Sequence, residues 1–119
     1  PKLLRIAEGD LKSATILFRA QDGRRENIAF HAQQAIEKAI KAVLVQEQIP
    51  VPQVHDAGIL VAKLPVSLTP PMGYDLSHLT PFATVRRYEE GELDLTEEEL
   101  SAILQTAEAV MAWAKQRIK

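Results

Sequence analysis

Apolar residues recur at spacings of three and four through three long stretches, and this constrains the chain more than any other feature. From Lys2 to about Gln21 the series is Leu3, Leu4, Ala7, Leu11, Ala14, Leu17 and Phe18. From Arg25 to Glu47 it is Ile28, Ala32, Ala35, Ile36, Ala39 and Val43. After Thr96 it is Leu100, Ile103, Leu104, Ala107, Val110, Met111, Ala114 and Ile118. Each series draws one stripe along a helix of 3.6 residues per turn. No segment alternates with the period of two that a strand requires. Stripes this long must be buried against each other or against a second copy of the chain.

The breaks between these stretches are marked by residues that end helices. Asp22-Gly23 is expected to stop the first, because glycine accepts the positive φ of a helix C-terminus. Ile49-Pro50-Val51-Pro52 is expected to end the second, since proline lacks an amide donor and disfavours helix in the residue before it. Asp56 to Leu64 reads as a short helix with Asp56 as its N-cap. Pro65 to Gly73 reads as a loop. Tyr74 to about Glu89 reads as helical again, with either Thr80 capping a new start at Pro81 or a kink at that proline. Thr96 and Glu99 have the spacing of a capping box, and Glu97 and Glu98 suit the positive end of the helix that follows. The expected fold is all-α: one domain over residues 1–119, an up-and-down bundle of about five helices, three long and two short.

Composition excludes several classes. Hydrophobic residues make up 46% of the 119, enough for one core without staples. The absence of cysteine rules out disulfides and thiolate chemistry. No apolar run reaches the roughly 20 residues that span a bilayer. Lys2, Arg5, Glu8 and Asp10 interrupt the opening segment, so no signal peptide and a cytoplasmic location are expected. The chain opens on Pro1 without an initiator methionine, so native residues are expected to precede it. A net charge of -2 argues against coating nucleic acid by bulk charge. Charge is nevertheless blocked: Arg24-Arg25 and Arg86-Arg87 contrast with the acidic run Glu89 to Glu99.

The second helix carries a polar series as regular as its apolar one. Asn27, His31, Gln34, Lys38 and Lys41 fall within an arc of about 80°, beside the apolar stripe. Arg24 and Arg25 stand at the start of the same helix, where backbone amides also favour anions. A histidine, amides and cations on one edge suit phosphate and nucleotide groups. A solvated flank without a ligand accounts for the same residues.

The string from Asn27 to Ala42, with Phe30-His31-Ala32-Gln33-Gln34-Ala35-Ile36-Glu37-Lys38-Ala39 at its centre, resembles the hallmark helix of the HEPN family (higher eukaryotes and prokaryotes nucleotide-binding). Asp10-Leu11 and Ala14 before it, His55 after the proline-rich turn and Arg87-Tyr88 later agree in order, so the resemblance runs from about Ala7 to Ala114. It implies a bundle of about five helices, often a homodimer, commonly encoded beside a minimal nucleotidyltransferase in a toxin–antitoxin or regulatory pair. It also implies that many relatives are metal-independent ribonucleases with an Arg-x(4–6)-His motif, in which histidine moves a proton at the ribose 2′-OH and arginine stabilises phosphorane-like charge. Here Arg24 or Arg25 with His31 satisfies that spacing, but seven arginines and three histidines make chance matches common. The family motif lies late, near the last helix. At that place Arg86-Arg87 is followed by Tyr88-Glu89-Glu90-Gly91-Glu92, with no histidine.

The residues expected to bind a ligand are therefore Arg24, Arg25, Asn27, His31, Gln34, Lys38, Arg86, Arg87 and Tyr88, with His31 and Arg25 the candidates for any catalysis. The arginines near Tyr88 could equally pair with Glu89, Glu90 or Glu92. His31, His55 and His78 lie on separate elements without ligand spacing, so neither a metal nor a cofactor is expected. No serine has an elbow context, and no glycine-rich phosphate loop is present. Trp113 lies off the last apolar stripe, at the core edge or at a dimer contact. Three readings remain: a nucleotide-, RNA- or partner-binding module, a ribonuclease, and a structural adaptor.

Overall fold

A computed structural model describes residues 2–21, 25–53, 57–70 and 96–118. Within them the chain forms α1 (Lys2–Arg19), α2 (Arg25–Gln46), α3 (Ala57–Ala62), a 3-10 turn (Val66–Leu68) and α4 (Glu97–Arg117). The fold is an all-α bundle, as the periodicity implies, with α2 packed against α1, α3 and α4, and α1 against α4. The 3-10 turn falls inside the segment read as loop: Leu68 N–H bonds back to the Pro65 carbonyl at 2.9 Å. The N-cap expected at Asp56 and the helix expected over Tyr74 to Glu89 lie outside the described residues.

Helix α2 is the axis of the bundle. Ile28, Ala29, Ala32, Gln33, Ala35, Ile36, Glu37, Ala39, Ile40, Ala42, Val43 and Leu44 are all buried. At 100° per residue they cover about 220° of its circumference. The stripe legible in the sequence is only one flank of this face; Gln33, Glu37, Ile40 and Leu44 extend it on the other side. The reason is that α2 meets three neighbours, whereas a peripheral helix buries one stripe. Five of the twelve buried residues are alanines, which bring the packed helices close. The fully buried Ile36, Ile40 and Leu44 each stabilise by roughly 1.5–3 kcal/mol.

The ends obey backbone accounting. Thr96 Oγ1 accepts from the Glu99 amide, and Glu99 Oε1 accepts from the Thr96 amide, both at 3.0 Å, completing the capping box. At the end of α2 the Gln48 amide bonds to the Val45 carbonyl at 3.0 Å and the Ile49 amide to the Leu44 carbonyl at 2.9 Å. This is a Schellman closure, and Ile49 packs on the core. The left-handed position is held by Gln48, with φ of 61°, so α2 closes before Pro50. Helix α1 likewise turns at Gln21, with φ of 52°. Both helices therefore end at a glutamine, ahead of the Gly23 and Pro50 signals read from the sequence. Lys115 Nζ and Glu8 Oε2, at 2.9 Å, tie α4 to α1 across an exposed seam. Trp113 belongs to the core at 8% exposure.

A non-glycine residue in the left-handed region costs on the order of 1 kcal/mol. Gln48→Gly is expected to raise the unfolding free energy by about 0.5–1 kcal/mol in urea titrations. A loss of stability would show that the Gln48 side chain holds the turn.

Candidate ligand-binding strip on the central helix

With about 220° of α2 buried, one strip of it is left for anything outside the bundle. Asn27, His31, Gln34, Lys38 and Lys41 line that strip, each half-buried. They are therefore bordered by packed residues on both sides, where the sequence placed the packed face on one side only. The His31 ring meets the Phe30 ring edge-on, with centroids 6.0 Å apart at 65°.

The two lysines are fixed by carboxylates. Lys38 Nζ donates to Asp10 Oδ2 of α1 at 2.7 Å, with both side chains about a quarter exposed (28% and 22%). Lys41 Nζ donates to Glu37 Oε1 one turn back at 2.9 Å. Glutamate on the N-terminal side of lysine is the favourable order for such a pair. Each ammonium has three donors, so one bond to a carboxylate leaves two for a ligand.

Arg25 does not share this strip. It is exposed at the first turn of α2, about 120° around the axis from His31 and about 9 Å along it. Arg24, Arg86, Arg87 and Tyr88 lie outside the described residues, as do His55 and His78. Among the described residues no three or more of His, Asp and Glu gather as a metal site.

Two side chains that sequence reasoning did not single out stand next to the strip. Gln33 and Glu37 are the buried polar residues of the core, each 2% exposed. Gln33 Nε2 and Oε1 have no hydrogen-bond partner among the described residues. Their signal was present as the i, i+4, i+8 series Gln33, Glu37, Lys41, hidden because the buried face looked half as wide as it is. Asp10 was read only as a flanking residue, and its partner on α2 is 28 positions away.

An axial helix buried on three sides, with one polar strip, defines an all-α helical-bundle domain. A family model, HEPN domain, matches residues 1–118, and the chain belongs to that family. Among solved structures it is similar to TT1696 from Thermus thermophilus, with a TM-score of 0.81 and 22% identity, covering 98% of this chain and 96% of that one. It is also similar to ST0689, an archaeal HEPN homologue, with a TM-score of 0.75 and 24% identity, covering 99% of this chain and 96% of that one. A search of the curated proteins gave no match.

Because the Lys38–Asp10 pair is partly exposed, its coupling is expected to be small. A double-mutant cycle with Lys38→Met and Asp10→Asn should give about 0.2–1 kcal/mol in denaturant unfolding. A coupling above about 2 kcal/mol would make the pair a buried structural bridge and not a preset binding group.

Proposed function

We propose that this HEPN domain is a nucleotide-binding module that acts as a homodimer in the cytoplasm, paired with a minimal nucleotidyltransferase in a regulatory or toxin–antitoxin-like system. The observation that carries the reading is the polar strip of α2, where two ammonium groups are held in place by carboxylates beside His31, Asn27 and Gln34. Held cations lose little conformational freedom on meeting a phosphate. Each is also offset by a carboxylate, so the strip lacks the surplus charge that would grip a long phosphate backbone. That balance favours a mononucleotide over an RNA strand. The residues Arg24, Arg86, Arg87 and Tyr88 complete the proposed binding set.

The ribonuclease reading has less behind it. Catalysis by one protomer would need Arg25 and His31 to converge on one phosphate, and they face different sides of α2.

Calorimetric titration with mononucleotides tests the proposal. One site per protomer is expected, weakened about tenfold, or about 1.4 kcal/mol, by His31→Ala or Lys38→Ala. Folded wild-type protein that binds no nucleotide would refute it and leave the structural adaptor. RNA cleavage by the wild type and not by His31→Ala, without metal, would put the enzyme in its place.

A further inference from the structure

Helix α1 carries apolar residues on two sides. Leu4, Ala7 and Ala14 are buried on the side that packs against α2 and α4. Roughly opposite, Ile6, Gly9, Ser13 and Ile16 lie within an arc of about 80°, and all four are exposed. Their spacings of three, four and three are those of a helix–helix seam. Ile6 is 40% exposed and Ile16 55%. Beside this seam Arg5, Lys12 and Arg19, spaced by seven and also exposed, form a row about 21 Å long.

The fold makes no use of this face. A Cβ at Gly9 would meet no described atom within 4 Å, and glycine inside a helix is destabilising relative to alanine. What glycine permits is the close approach of another backbone. Arg5, Lys12 and Arg19 form no ion pair among the described residues. The carboxylates of α1 are committed elsewhere, Glu8 to Lys115 and Asp10 to Lys38. A chain of net charge -2 thus presents a row of cations along an apolar seam.

We propose that the outer face of α1 docks an acidic amphipathic helix of another protein. Charge decides between the occupants. In an antiparallel pair of α1 helices crossing between Gly9 and Ser13, Arg5 would face Arg19 and Lys12 would face its own copy. In a parallel pair the row would face Leu17 and Asp10, and Asp10 is already bonded to Lys38. Like charges opposed in this way disfavour a second copy. A phosphate backbone would engage the cations and leave Ile6 and Ile16 in water. A partner helix with a carboxylate every seventh residue, about 10 Å apart, meets Arg5, Lys12 and Arg19 in turn. Its apolar side chains cover Ile6 and Ile16, and its backbone comes close over Gly9 and Ser13. The proposal goes beyond the nucleotide reading and does not depend on it.

The probe is a synthetic three-heptad peptide with leucine at its a and d positions and glutamate at e and g; its counterpart carries lysine at e and g. Anisotropy titrations use the full chain, the charge reversal R5E/K12E/R19E and the seam variant Ile6→Ser with Ile16→Ser. All five changed positions are exposed, so both variants are expected to melt within a few degrees of wild type. Wild type should bind the glutamate peptide at least about tenfold more tightly than the lysine peptide, and less tightly as salt rises. The charge reversal should invert that preference, and the seam variant should lose about tenfold in affinity. No binding of the glutamate peptide, a preference unchanged by charge reversal, or full affinity in the seam variant overturns the proposal. So does a wild-type dimer that dissociates in the seam variant, which would give the face to a second copy. Binding to phosphatidylserine vesicles that the seam variant loses would overturn it in favour of a membrane.

Discussion

Almost everything in this bundle follows from the position of α2 between its neighbours. A helix packed by α1, α3 and α4 has little surface left for polar residues, so its composition must meet the packing demands of three interfaces. Alanines at 29, 32, 35, 39 and 42 let neighbouring helices close in, while Ile36, Ile40 and Leu44 fill the space between them. The peripheral helices are under weaker demand. Helix α1 buries Leu4, Ala7 and Ala14, and leaves Ile6 and Ile16 exposed. Helix α4 is set by its capping box at one end and by the buried Ile118 at the other.

The same constraint gives the site its shape. Because about 220° of α2 is committed to the core, its candidate binding groups are confined to one narrow strip. Confinement fixes them. Lys38 is anchored across helices by Asp10, and Lys41 along the helix by Glu37. A site built on a packed helix holds its geometry better than one built on loops. The polar atoms carried into the core at Gln33 and Glu37 run against packing economy.

The fold was largely legible because periodicity reports burial directly. The three long helices, the end of α2 near residue 46 and the Thr96–Glu99 cap can all be read from spacing alone. The width of α2's buried face could not. A polar residue at 33 or 37 looks exposed until the number of neighbours is known, and that is a property of the whole bundle. The way those helices close, through left-handed Gln21 and Gln48, was hidden, since a left-handed glutamine leaves no mark in the sequence. The strip from Asn27 to Lys41 was visible as an arc, whereas the Asp10 partner was not, because it joins positions far apart in the chain. The separation of Arg25 from His31 follows from helix geometry, and a motif defined by linear spacing passes over it.

The claim at the centre is that α2 presents a single binding face. Backbone amide chemical shifts of the protein titrated with AMP test it most directly. The expected result is a set of shifts confined to Asn27, His31, Gln34, Lys38 and Lys41. Shifts gathered instead in the groove between α1 and α4, around Phe18 and Ser101, would contradict it.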